Sequence, residues 1–290
     1  MKILLTGANG FIGRNIKEKI GSEYLLDSPE KAKLDLLNPE SVKSVIKNGG
    51  YDIIIHSANI NNSRKREVSS FSVLQGNLLM FYNLLKYREY FGKMIYFGSG
   101  AEFDVENYIP KMNENFFGQY VPKDAYGLSK YIMGKESEKD INVFNFRLFG
   151  VYGPYEEWEH RFISNAICRI LYDMPITINQ NVYFDYLWVD DLVSILKKMM
   201  VKDLKYKHYN ICSGKRIDLY TLAQIVKKVC QSSNPIIVKN QGLKREYTGD
   251  NKRMLNELGE FEFTGFESAV QQLYNYYKEH RDMINPNILV

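Results

Sequence analysis

A phenol and an ammonium stand four residues apart in Tyr126-Gly127-Leu128-Ser129-Lys130, a spacing that puts both on one face of a helix. Such a pair can move a proton at a substrate oxygen, the cation lowering the phenol pKa and holding a cofactor ribose while the phenol serves as acid or base. The preceding apolar run ends in Tyr96-Phe97-Gly98-Ser99, where the Ser99 hydroxyl can hydrogen-bond a reacting oxygen. A second chemical feature opens the chain, where Lys2 to Thr6 leads into Gly7-Ala8-Asn9-Gly10-Phe11-Ile12-Gly13 and a helical pattern follows at once. Gly7 permits a sharp turn, Gly10 leaves no Cβ to obstruct a pyrophosphate, and Gly13 lets the helix approach the sheet with its N-terminal amides facing the anion. This is the pattern of a dinucleotide site. Asp27, placed after the next apolar run, can bind adenosine ribose hydroxyls and repel a 2′-phosphate, which leans the cofactor towards NAD. Arg14, Lys31 and Lys33 are near enough in sequence to neutralise that phosphate, so NADP stays open.

These groups require a frame that brings them to one edge. Short apolar runs alternate with amphipathic stretches, the trace of an α/β fold with a doubly wound parallel sheet. Strands are expected at Lys2 to Thr6, Tyr24 to Leu26, Asp52 to His56, Met94 to Phe97 and Val143 to Arg147, with helices at Phe11 to Ile20, Pro39 to Lys47, Ser72 to Tyr90 and Ala125 to Lys139. After Pro154 the regularity weakens into helices at Phe162 to Tyr172, Asp191 to Met200, Leu219 to Cys230 and Glu267 to Tyr277, with strands near Ile176 and Tyr183. The expected division is a dinucleotide-binding domain of residues 1–154 with 180–202, and a smaller C-terminal α/β substrate-binding region of 155–179 with 203–290. A ligand cleft is expected between them.

Composition narrows the partners. The 290 residues carry 38 Lys+Arg and 34 Asp+Glu, a net charge of +4 with 45% hydrophobic residues, which suits a globular protein and excludes wholesale disorder. No long basic run points to nucleic acid, and no apolar stretch reaches the roughly 18 residues of a membrane span. Cys168, Cys212 and Cys230 offer neither a disulfide framework nor Cys-x-x-Cys spacing, so no metal is expected and a reducing cytoplasm fits.

At these residues the chain resembles the extended short-chain dehydrogenase/reductase family, the NAD-dependent epimerase/dehydratases that act on nucleotide sugars. Thr6 to Gly13 is similar to the family's glycine motif, Ile55-His56-Ser57-Ala58 to its fourth strand, Asn77 to the start of its long helix, and Ser99, Tyr126 and Lys130 to its catalytic triad. The likeness continues through Arg147 to Pro154, Phe184 to Asp191 and Tyr209 to Gly214, and so spans nearly the whole chain. It implies a Rossmann fold. It also implies cofactor contacts from Asn9, Phe11, Ile12, Ala58 and Asn77, adenine contacts from Asp35 and Leu36, and a homodimer formed through Ser72 to Tyr90 and Ala125 to Lys139.

Departures from the family pattern direct the functional expectation. Family 4,6-dehydratases carry an Asp-Glu pair after the catalytic hydroxyl, whereas Gly100 and Ala101 stand here. Members that couple epimerisation to reduction place a proton-exchanging cysteine where this chain has Ala101. His160 falls where those members carry a catalytic histidine, and Phe184 replaces a family arginine. Arg161, Arg169, Lys215, Arg216 and Arg245 are the cations available to a sugar-nucleotide diphosphate, and Gly100, Ala101, His160, Arg161 and Arg216 form the expected substrate side. Phe103, Tyr120, Phe149, Tyr152, Tyr155 and Trp158 are aromatic residues expected near the cleft. The leading expectation is a nucleotide-sugar 4-ketoreductase acting on a 4-keto-6-deoxysugar in surface polysaccharide synthesis. A 4-epimerase needs the same residues, and a non-catalytic NAD(P) sensor is a rival from another class.

Overall fold

A computed structural model of the chain describes residues 1–61 and 68–289. In chain order its strands and α-helices are β1 (Lys2–Thr6), α1 (Phe11–Ile20), β2 (Leu25–Asp27), α2 (Pro39–Gly49), β3 (Tyr51–His56), α3 (Ser70–Leu85), β4 (Phe91–Ser99), α4 (Ala125–Ser137), β5 (Val143–Leu148), β6 (Gly150–Tyr152), α5 (Phe162–Leu171), β7 (Ile176–Asn181), β8 (Tyr183–Trp188), α6 (Val189–Met200), β9 (His208–Ile211), β10 (Arg216–Asp218), α7 (Leu219–Val229), β11 (Ile236–Leu243), α8 (Lys252–Leu258) and α9 (Phe266–Glu279).

The apolar runs form a parallel sheet in the order β2-β1-β3-β4-β5-β9. Successive side chains of a strand point to opposite faces, and here both faces are covered. Ile3, Leu5, Ile53, Ile55, Ile95 and Phe97 pack with Ile16 of α1 and Leu192 and Leu196 of α6. Leu4, Ile54, Met94 and Tyr96 face the other way, against Val42 and Ile46 of α2, Phe81 of α3 and Met133 of α4. That two-sided burial is why these strands read as continuous apolar runs. The strand order reverses at β1, which opens a crevice at the carboxyl ends of β1 and β3, the place where a doubly wound sheet holds its ligand.

The C-terminal region adds a three-stranded sheet, β10-β8-β6, and a parallel pair, β11 with β7. Its own core gathers Trp158, Ile163, Ile167, Leu222, Val226 and Leu273 from α5, α7, α9 and the segment before α5. Among the described residues, no helix is long and apolar enough to cross a membrane.

Two expectations are corrected. α3 ends at Leu85 rather than continuing to Tyr90, because the chain tightens into a 3-10 turn at Arg88–Tyr90 and enters β4 at Phe91. The segment 203–290 does not lie wholly in the substrate region: β9 pairs with β5 at the edge of the central sheet, burying Tyr209 and Ile211 in the same core as Leu5. Met254 and Leu258 of α8 join that core, so α8 also sides with the dinucleotide half.

Candidate active site

β4 delivers Ser99 to the carboxyl edge of the sheet, and a short 3-10 turn over Gly100–Glu102 follows. Ser99 Oγ accepts the Ala101 N–H at 3.2 Å, while the Ser99 N–H donates to Glu102 Oε1 at 3.0 Å, so the turn closes on itself in a capping box. Asp124 caps α4 by accepting the Gly127 N–H at 2.7 Å, which starts the helix beside that turn and sets Tyr126 in its first turn and Lys130 one turn on. The Ser99 hydroxyl is close enough to Tyr126 to favour its phenolate. The three predicted chemical groups therefore meet, and all three line one cavity of about 860 Å³.

The electrostatics differ from the sequence expectation in one respect. Burial raises the Tyr126 phenol above its usual range, opposed by the nearby Ser99 hydroxyl and by the positive charge of Arg161. Lys130 is not what opposes it. The ammonium donates to Phe97 O at 2.9 Å and lies 5.8 Å from the Tyr126 ring centre. Burial also pushes the Lys130 pKa down to about 8, against the raising influence of Glu102.

The glycine turn fits a dinucleotide. Gly7 has φ +71°, and a Cβ there would stand 2.5 Å from the Ala58 backbone nitrogen; a Cβ at Gly13 would stand 2.1 Å from Gly7 O. At Gly10 the nearest atom would be Gly7 O at 3.4 Å, so the turn packs tightly inward at Gly7 and Gly13 and stays open at Gly10. Gly10 caps α1 with no side chain on its amides, and no acidic residue stands in the first turn. The helix N-terminus is thus left to an anion. Phe11 and Ile12 line the cavity, and the Asn9 carbonyl accepts from Arg14 Nε at 3.0 Å.

The remaining cofactor candidates divide. Asp27 ends β2 beside Leu4 of β1, with Oδ2 accepting the Tyr51 hydroxyl at 2.5 Å. Asp35 Oδ1 accepts the Leu37 N–H at 3.1 Å, and the buried Leu36 gives its carbonyl to Asn83. The Ala58 N–H lies 3.4 Å from Thr6 Oγ1. Asn77 is buried and spends its amide on the backbone of Ile60, accepting at 2.7 Å and donating at 2.9 Å. It therefore clamps the loop after β3 instead of lining the cavity.

On the substrate side, Ala101, His160, Arg161 and Arg169 line the cavity, as do Phe149, Tyr152 and Phe184. Arg216 does not: its guanidinium stacks 4.1 Å over the Tyr183 ring and pairs with Glu246 at 3.4 Å. Arg245 instead donates to Val105 O at 2.8 Å, and Lys215 is likewise outside the cavity wall. Of the predicted aromatics, Phe103 and Trp158 are core residues, Tyr155 bonds Glu18 at 2.7 Å, and Tyr120 is exposed.

Four residues escaped the sequence reading. Lys239 of β11 lines the cavity. So does Glu156, a buried carboxyl that accepts from Ser164 and whose pKa is pushed up to about 7 by burial. Tyr247 lines it too, with the Ser99 hydroxyl favouring its phenolate. Beneath the turn lies Glu102, fully buried, which accepts Arg147 Nε at 2.8 Å, Arg147 Nη2 at 2.7 Å and both contacts of Asn145 Nδ2 at 2.8 and 3.1 Å. The one available signal was Arg147 itself, a charge inside an apolar strand that must have a partner.

Comparison with known proteins agrees with this geometry. A family model described as the NAD dependent epimerase/dehydratase family matches residues 3–212. The chain is 24% identical to GDP-6-deoxy-D-talose 4-dehydrogenase of Aggregatibacter actinomycetemcomitans over 94% of its own length and 97% of the relative's. It is 30% identical to UDP-2-acetamido-2,6-beta-L-arabino-hexul-4-ose reductase of Pseudomonas aeruginosa, over 69% of this chain and 50% of that one. A GDP-L-fucose synthetase from Naegleria fowleri bound to NADP shares the fold at a TM-score of 0.84 and 16% identity, covering 97% of this chain and 93% of that chain. With a Rossmann sheet, a glycine turn and a Ser-Tyr-Lys edge facing one cavity, the chain belongs to the NAD dependent epimerase/dehydratase family.

Proposed function

We propose that the protein reduces the 4-keto group of a nucleotide-linked 4-keto-6-deoxysugar. One observation carries the reading: Ser99, Tyr126 and Lys130 converge on the cavity, while the two positions after Ser99 hold Gly100 and Ala101, neither able to exchange a proton. The glycine turn would hold a dinucleotide, with Asp27 favouring NAD over NADP, and a reduced nicotinamide there would supply hydride to the keto carbon.

The protein's own residues do the rest. Ser99 donates a hydrogen bond to the keto oxygen and polarises the carbonyl. Tyr126 hands its proton to that oxygen as the carbon is reduced, so the product leaves as the alcohol and the phenolate is reprotonated from solvent. Lys130 would hold the cofactor ribose, and its positive charge favours the transient phenolate. Arg161 and Arg169 supply positive charge in the cavity wall for the substrate diphosphate. The long helices α3 and α4 form the dimer face in this reading, with Phe71, Leu79 and Tyr82 of α3 exposed to meet a second copy.

The test is to incubate the protein with NADH or NADPH and a panel of nucleotide-linked 4-keto-6-deoxysugars, following the reduced-nicotinamide absorbance. Consumption of one reduced cofactor per sugar is expected. Interconversion of C4 epimers of a nucleotide sugar without net consumption replaces the reductase reading with the epimerase.

A further inference from the structure

The reaction above uses one phenol, yet two line the cavity beside Ser99. Tyr247 lies between β11 and α8 and lines the same cavity, where the Ser99 hydroxyl favours its phenolate as it does that of Tyr126. Its backbone is anchored on β8, the N–H donating to Tyr183 O at 2.9 Å and the carbonyl accepting from Asp185 N at 3.2 Å. Its ring is held by three others, stacked on Tyr108 at 5.0 Å and packed on Phe149 at 5.4 Å and Phe184 at 5.9 Å. The hydroxyl so placed fills the space beside Gly100, where a Cβ would stand 2.4 Å from the phenol oxygen. Two separate departures in the sequence thus serve one side chain. Gly100 clears room for the Tyr247 hydroxyl, and Phe184 supports its ring.

Hydrogen-bond capacity indicates what the second phenol does. Ser99 Oγ has one proton to donate and two lone pairs. One lone pair takes the Ala101 N–H at 3.2 Å. We propose that Tyr247 is a positioning residue that donates its phenolic proton to the other lone pair, which leaves the single Ser99 proton for the reacting oxygen it shares with Tyr126. Burial holds the Tyr247 phenol above its ordinary pKa, so it donates without ionising in the neutral range. A donor behind Ser99 also polarises the hydroxyl and makes it the stronger donor in turn. The reaction named here rests on the reductase reading, but the proposed bond from Tyr247 to Ser99 does not.

Tyr247→Phe keeps the ring and its packing while removing the donor. On the reduction assay it is expected to lower kcat about 10-fold or more with the KM for the reduced cofactor unchanged. In a Ser99→Ala background it should add less than about a further twofold, because the residue it acts through is gone. Full additivity, or a wild-type kcat in the single variant, overturns the proposal. A readout without turnover uses the protein carrying [ζ-13C]tyrosine. The Tyr126 resonance is expected to titrate at higher pH in Tyr247→Phe and in Ser99→Ala, since both weaken the donor that stabilises its phenolate. Gly100→Ala, which displaces the Tyr247 hydroxyl and leaves the residue in place, should reproduce that shift if Tyr247→Phe fails to fold. An unchanged Tyr126 titration in the folded variant overturns the proposal. If the wild-type protein turns over none of the sugars, the reductase reading fails by itself and the titration still decides the role of Tyr247.

Discussion

Replacing Glu102 by Gln tests whether the buried charge pair under the catalytic turn holds that turn in place. Glu102 and Arg147 are both fully buried, with their charged atoms 2.7 Å apart. At an effective dielectric of 20 that separation gives about 6 kcal/mol of gross attraction, most of it offset by desolvating the two ions. Gln keeps an acceptor and the shape but removes the charge, leaving the guanidinium buried against Phe103 and Phe117, whose ring centres lie 4.6 and 4.8 Å from its carbon. Ring faces are a weak substitute for a carboxylate. Removing one partner of a buried pair costs about 3–5 kcal/mol, which should lower the melting temperature by about 10 °C for a chain of this size. The assay is urea unfolding followed by the fluorescence of the buried Trp158 and Trp188. The Ser99 N–H also loses its charged acceptor, so kcat should fall about 10-fold in the variant that remains folded. In Glu102→Gln combined with Arg147→Met no ion is left buried, and at least about 2 kcal/mol of stability should return. A loss below about 1 kcal/mol in the single variant, or simple additivity in the double, refutes the coupling.

Tyr126→Phe should lower kcat by about 10²–10⁴-fold while cofactor binding, read by fluorescence, is retained; near-wild-type turnover would sink its assignment as the acid. Lys130, with its pKa down to about 8, is cationic below that pH and neutral above it. Wild-type kcat/KM should therefore fall as pH rises through about 8, and that limb should be absent in Lys130→Met together with a raised cofactor KM; a limb that survives belongs to another group. Asp27→Asn should raise the kcat/KM ratio of NADPH over NADH about 10-fold, since a neutral amide no longer repels a 2′-phosphate. An unchanged ratio places the preference elsewhere.

What could be read from the sequence was what repeats locally. β1, β3 and β5 announce themselves because both faces are buried, and α1 runs over the expected Phe11–Ile20 because its apolar stripe is regular. β11 was missed because Ile236–Leu243 is largely exposed and its apolar run ends after Val238, before the polar Lys239-Asn240-Gln241. α8 was missed because seven residues are too few to show a helical period. The same rule governs the site. Tyr126 and Lys130 sit one helical turn apart and could be paired from spacing. Tyr247 enters the cavity beside Ser99 because a bridge to β8 carries it there, and no local pattern marks such a crossing. Arg216 was expected on the substrate side from its charge alone, but Glu246 and the Tyr183 ring already satisfy it.

The separation of the hydrophobic packing into distinct cores bears on how such a protein diverges. The substrate-side core draws only on residues from Tyr152 onward, whereas the glycine turn is pinned by backbone contacts of Gly7 and Gly13 in the other half. A substitution at Ile167 or Leu222 repacks the scaffold behind the sugar wall without disturbing the dinucleotide cradle, because the two share no core neighbours. Substitutions confined to the second core can therefore reshape part of the cavity wall while leaving the cradle intact. The wall that holds the hydride source has no comparable latitude, since any side chain at position 7 or 13 collides with main chain that cannot yield.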